Sequence, residues 1–127
     1  PTEIRATLEA ARQTKPGRVI AVFQPHRYTR TKYLYREFGR AFASADQVLL
    51  NKIYPAGETP INGVNAKLIG DEIRKHKNVE PLLFDDQDDL VSHLASIVRE
   101  GDLVITLGAG DIWRSGRALL RVLGEQS

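Results

Sequence analysis

Val19-Ile20-Ala21-Val22-Phe23-Gln24-Pro25-His26-Arg27-Tyr28-Thr29-Arg30 (residues 19–30) runs from unbroken apolar sequence into a proline and then a basic, aromatic segment. Residues 18–24 lack the polar alternation of a half-exposed strand, so they read as a strand buried on both faces, the signature of a parallel sheet covered by helices. Pro25 ends that strand, and His26, Arg27 and Arg30 fall where a helix begins. A helix N-terminus already carries partial positive charge, so arginines there are locally unfavourable. An anion would remove the conflict, because guanidinium forks match carboxylate and phosphate oxygens. A solvated basic loop is the other reading, and the local pattern leaves both open.

The same rhythm repeats outward from this segment. Residues 2–14 read as a helix with Thr2 as candidate N-cap and Ile4, Leu8 and Ala11 on one face, stopped by Pro16-Gly17. Residues 31–45 read as a helix with Leu34, Phe38, Ala41, Phe42 and Ala45 on a buried stripe. A strand is expected at 47–51, a loop at 52–63, and a helix at 65–77 capped by Asn65, with Leu68, Ile69 and Ile73 inward. A strand at 81–84, a helix at 86–99, a strand at 103–107 and a final helix at 112–123 complete the chain. Buried strands alternating with amphipathic helices predict an α/β fold: a Rossmann-like, doubly wound, mostly parallel sheet flanked by helices. Ligands of such sheets bind outside the carboxyl ends of the strands. Here that edge is made by loops starting near Gln24, Asn51, Asp85 and Gly108.

A chain of 127 residues fits one domain, 1–127. The absence of cysteine excludes disulfides and thiolate metal sites. With no apolar stretch of membrane-spanning length and no leader at its start, the chain is expected to be cytoplasmic, without membrane contact. The net charge of +2 conceals an asymmetry: residues 1–45 hold nine Lys/Arg against three Asp/Glu (+6), and residues 46–127 hold nine against thirteen (−4). A basic half suits an anionic partner or a solvated helix face. Nucleic acid is not expected as a partner, because no recognition motif or aromatic interleaving on a strand accompanies the charge.

Three loops carry candidate chemistry. In the first, Arg27 and Arg30 are three residues apart and can converge on one anion, with His26 as hydrogen-bond donor or base. The second, Tyr54-Pro55-Ala56-Gly57-Glu58, allows close approach of a ligand, and Glu58 could meet an ammonium group. An ordinary turn with a solvated glutamate explains the same residues, and they favour it. In the last, Gly108-Ala109-Gly110-Asp111 offers bare backbone N–H groups. A dinucleotide fingerprint would need a third glycine where Trp113 stands, a residue read instead as packing. The acidic run 85–89 is read as favourable charge in a first helical turn rather than a metal site, and no metal ligands are expected. His76 and His93 are isolated surface residues. No phosphate loop, catalytic triad or carboxylate pair is present, so no residue is assigned a catalytic role.

The runs VIAVFQPHRYTRTKYLYREF, NKIYPAGETPI and DLVITLGAGDIW, in this order and spacing, resemble the C-terminal domain of the Mur ligases across essentially the whole chain. The resemblance implies a three-domain cytoplasmic enzyme of peptidoglycan synthesis, of which residues 1–127 are the amino-acid-binding domain, and Pro1 the end of a Tyr-Gly-His-His-Pro motif. It implies an ATP-dependent ligase that joins L-alanine to UDP-N-acetylmuramate through an acyl phosphate, with ATP and Mg²⁺ held mainly by a central domain. His26, Arg27 and Arg30 would then hold the alanine carboxylate, and Tyr54, Ala56, Gly57, Glu58, Gly108, Ala109, Gly110 and Asp111 would wall its pocket. A domain without phosphate loop or magnesium ligands would fold but be inactive alone. The alternatives are a stand-alone nucleotide- or anion-binding regulatory module and the corresponding domain of a murein tripeptide-recycling ligase.

Overall fold

Four strands and five helices alternate in the computed structural model, which describes residues 1–77, 79–108 and 112–126, with backbone only at 113, 115, 122 and 124–126. They are α1 (Thr2–Gln13), β1 (Val19–Gln24), α2 (Tyr28–Arg40), β2 (Gln47–Asn51), α3 (Ala66–His76), β3 (Leu82–Phe84), α4 (Gln87–Ile97), β4 (Leu103–Gly108) and α5 (Trp113–Gln126). All three strand pairings are parallel, in the order β3-β2-β1-β4. The central strand β1 is buried at every residue, as its unbroken apolar sequence requires.

The pleat divides the core in two. On one face Val19, Ala21, Phe23, Val48 and Leu50 pack against Ile4 and Leu8 of α1, Phe38 of α2 with the adjoining Phe42, and Ile69 and Ile73 of α3. On the other, Ile20, Val22 and Leu49 meet Leu90 and Leu94 of α4 and Leu119 of α5. Each fully buried Leu, Ile or Phe contributes roughly 1.5–3 kcal/mol. α2 and α3 press together at Gly39, where an added Cβ would overlap that of Glu72. The amino ends of β1 and β4 are tied together by Arg18, which donates to Asp102 from Nη2 at 2.6 Å and Nε at 3.2 Å and to the Ile97 carbonyl, at the end of α4, at 2.7 Å.

Most element ends fall within one or two residues of the sequence expectation, the last helix runs to Gln126 rather than 123, and two helix starts differ in kind. The cap of α1 is Pro1 and no side chain closes it, so Thr2 lies inside the helix. α2 runs from Tyr28 to Arg40 rather than over 31–45, because its N-terminus is capped from a distant loop and its last turn closes at Ala41. Asn65 caps α3 as expected, accepting from the Lys67 N–H at 3.0 Å. Among the described residues no helix is long and apolar enough to cross a membrane.

The strand order fixes where a ligand can sit. From β1 the chain steps outward to β2 and β3 with α2 and α3 on one face, then returns by α4 on the other face to place β4 beside β1. The topological switch point therefore lies between the carboxyl ends of β1 and β4, at the paired residues Gln24 and Gly108.

Candidate functional site

A cleft of about 520 Å³ opens at the switch point, within the roughly 300–1,000 Å³ of small-ligand sites. Gln24 and Gly108 form its floor, Phe23, Phe38 and Leu107 its apolar wall, and His26 and Arg30 its polar wall. Residues of and before the first turns of α1, Pro1, Thr2, Glu3, Ile4 and Thr7, also line it. Gly108 has φ of 113°, and a Cβ there would run into the Gln24 carbonyl oxygen, so only glycine lets β4 end this close to β1. Gln24 is 4% exposed and donates its Nε2 to the Lys52 carbonyl at 3.3 Å, while its Oε1 has no partner among the described residues.

The first two loops are zipped together above the sheet. Tyr54 N–H donates to the Pro25 carbonyl and Arg27 N–H to the Tyr54 carbonyl, both at 2.8 Å, prolonging the β1–β2 ladder past the strand ends. His26 pairs with Tyr54 in this extension, and their rings stack at 5.8 Å and 15°. The stack fixes the His26 ring at the mouth of the cleft.

Glu58 completes the junction. No acidic residue lies in the first turn of α2. The Glu58 carboxylate takes that place, accepting from Tyr28 N–H at 2.6 Å, Thr29 N–H at 3.2 Å and the Thr29 hydroxyl at 2.5 Å. The Thr29 hydroxyl, above all, holds the Glu58 carboxyl below its ordinary pKa. A carboxylate from within the chain thus occupies the start of α2. Glu58 is half-buried, and its oxygens accept from the amides and hydroxyl at the start of α2.

The site residues expected from sequence separate accordingly. His26, Arg30 and Gly108 line one cleft. Arg27 is the N-cap of α2, exposed, and absent from the cleft wall. Tyr54 opens instead on a second crevice of about 650 Å³ with Asn51, Lys52, Pro55 and Asp85, separated from the first by Gln24. Ala56 and Gly57 make a turn with φ of 51° and 86°, closed by Glu58 N–H to the Pro55 carbonyl at 3.0 Å. Ala109, Gly110 and Asp111 lie outside the described residues, as does the Trp113 side chain. The acidic run behaves as a helix start: the Asp86 side chain caps α4 through Asp88 N–H at 2.8 Å. Among the described residues no group of three His, Cys, Asp or Glu side chains could hold a metal ion. His76 is exposed, 3.8 Å from Glu72, and His93 packs on Phe84 with ring centroids 5.6 Å apart. Sequence reasoning missed the contribution of α1, whose Thr2, Glu3 and Thr7 border the cleft, since only its apolar stripe stood out.

Residues 1–110 match the family model of the Mur ligase, glutamate ligase domain. The chain is 50% identical over 125 residues to the UDP-N-acetylmuramate–L-alanine ligase of Pelotomaculum thermopropionicum, covering 98% of this chain and 27% of that protein. It is 47% identical over 126 residues to the ligase of the same name from Desulforamulus reducens, covering 99% and 27%. The chain thus spans about a quarter of the length of these curated relatives. The crystal structure of a murein peptide ligase from Psychrobacter arcticus has the same fold, with TM-score 0.75 at 19% identity, covering 98% of this chain and 25% of that one. A domain from Haemophilus ducreyi superposes with TM-score 0.68 at 22% identity, covering 97% and 83%. With the family model spanning the sheet and its switch-point cleft, the chain belongs to the Mur ligase family.

Proposed function

We propose that this chain is the C-terminal, amino-acid-binding domain of a three-domain, cytoplasmic, ATP-dependent ligase that joins L-alanine to UDP-N-acetylmuramate in peptidoglycan synthesis. The observation that carries the proposal is identity of about half over nearly the whole chain to ligases of that specificity. The murein peptide ligase is similar at 19% identity, a likeness that speaks for the fold alone.

The cleft suits a small amino acid. Arg30 supplies a permanent cation for its carboxylate, with His26 as a further donor, each charge-assisted hydrogen bond contributing roughly 1.5–3 kcal/mol. The apolar wall of Phe23, Phe38 and Leu107 lies beside them and suits a methyl side chain. In the complete ligase ATP activates the lactyl carboxylate of UDP-N-acetylmuramate as an acyl phosphate, which the alanine amine attacks with loss of phosphate. The family resemblance assigns ATP and Mg²⁺ mainly to a central domain, in keeping with the absence of a phosphate loop from this sequence, and no magnesium step is assigned here. The domain's task is to hold the amine in line with a reagent that its neighbours present.

The test is ADP release by the full-length enzyme carrying this segment, with UDP-N-acetylmuramate, ATP and Mg²⁺, across a panel of amino acids. Release should require L-alanine, and glycine should be poorer by about 10–200-fold, the range for one missing methyl group. Release that depends on a different amino acid, or on a tripeptide, would overturn the assignment.

A further inference from the structure

We infer that Glu58 is the positioning residue of the amino-acid site: its carboxylate clamps the first turn of α2 and thereby sets the orientation of His26, Arg27 and Arg30. The inference rests on the proposed amino-acid-binding role and adds to it a residue that does not itself meet the substrate.

Three observations converge on this role. Arg27 is held at φ of 71°, a left-handed conformation that non-glycine residues adopt only where the surroundings enforce it. Ala56 in the facing loop is also left-handed, at φ of 51°. Strain therefore sits on both sides of the junction, which is spanned by the two backbone bonds of Tyr54, to Pro25 and Arg27, and by the three bonds donated to Glu58. Those three begin at the residue directly after Arg27, so they fix the peptide that the strained φ would otherwise rotate. Arg30, on the cleft wall, is in the same turn.

The second consequence concerns charge. The free N–H groups and partial positive charge of a helix start would attract any carboxylate. With Glu58 bound there, the end of α2 is filled, and an incoming carboxylate is directed to the guanidinium and imidazole side chains instead. The clamp both aims the cationic side chains and blocks the competing anion site beside them.

Removing the clamp should lower the fraction of molecules with a correctly set loop. An apparent affinity scales with that fraction, so a fall to about one tenth raises the KM for L-alanine about tenfold. The experiment compares Glu58→Ala and Glu58→Gln with the wild type in the full-length enzyme. It measures KM for each substrate, kcat, thermal midpoint, and the response to added formate. Glu58→Ala should raise the KM for L-alanine with little change in the KM for ATP. Glu58→Gln keeps one acceptor oxygen and should fall between. Formate, a carboxylate small enough to occupy the vacated helix start, should restore alanine affinity in Glu58→Ala and leave the wild type unaffected. An unchanged alanine KM in Glu58→Ala would overturn the inference, as would an equal rise for all substrates without formate rescue. A wild type that shows no alanine-dependent turnover would instead overturn the proposed function.

Discussion

Gly108 and Gly57 both have positive φ, yet the structure places them in opposite surroundings, and their alanine variants separate two costs. At Gly108, with φ of 113°, a new Cβ collides with the Gln24 carbonyl oxygen and comes within 3.3 Å of the Gln24 nitrogen. Gly57, with φ of 86°, has open space around it. Gly57→Ala therefore bears only the conformational cost, about 1–2 kcal/mol. Gly108→Ala bears a strained φ of about 1–3 kcal/mol and overpacking of about 1–3 kcal/mol, together about 2–6 kcal/mol. The obstruction is rigid backbone on the central strand, so little relaxation is open to it. For a chain of 127 residues each kcal/mol moves the thermal midpoint by about 4 °C. Differential scanning calorimetry of the isolated chain should give a loss of about 4–8 °C for Gly57→Ala and about 8–24 °C for Gly108→Ala. Because relief at Gly108 pries β4 from β1 at the switch point, the Gly108 variant should also weaken alanine binding in the full-length enzyme, and the Gly57 variant should do so less. Equal midpoints for the two variants, or a milder effect at Gly108, would refute the claim that backbone contact with Gln24 demands glycine there.

The Asp102 side chain is 3% exposed, and the Arg18 hydrogen bond, first among its partners, holds its carboxyl below the ordinary value of 3.8. The unfolded chain therefore binds this proton more readily, so the stabilisation is complete above about pH 3.8 and is lost as pH falls through the folded-state value. Urea midpoints measured from pH 7 to pH 3 should fall at the acid end, and Asp102→Asn should be less stable at pH 7 with a shallower acid decline; an identical decline would remove Asp102 as a cause. Gly39→Ala adds a Cβ in the path of Glu72 where α2 and α3 cross, and should cost about 1–3 kcal/mol with alanine KM unchanged. A neutral effect on the thermal midpoint would mean that the two helices separate without cost.

The sheet was legible because β1 is apolar from Val19 to Phe23 and every later strand is separated from its neighbour by an amphipathic helix. Element order followed from periodicity alone, whereas strand order did not, since no local pattern says that β4 returns to the far side of β1. Thr2 lies within the helix rather than at its cap, and no side chain caps α1. The early start of α2 could not be read locally, because its cap, Glu58, lies 29 residues beyond Thr29 in sequence. The arginine-rich helix start left an anion site and a solvated loop both open in the sequence; what sequence did not disclose was that a carboxylate of the second loop, Glu58, binds the amides of that helix start. That partnership becomes readable once β1 and β2 are known to be adjacent, for their carboxyl-end loops must then meet. The split between Arg30 in the cleft and Arg27 at the cap depends on the left-handed turn at Arg27, which a sequence of ordinary residues does not announce.

The central claim, that the switch-point cleft holds an amino-acid carboxylate against Arg30, is tested most directly by removing the two charges singly and together. ADP release by the full-length enzyme would be measured with L-alanine and with L-alaninamide, in the wild type and in Arg30→Ala. If the two groups meet, replacing carboxylate by amide should reduce kcat/KM strongly in the wild type and only slightly in Arg30→Ala, the missing partner having already removed the interaction. The same proportional loss in both enzymes would contradict the claim and place the carboxylate elsewhere.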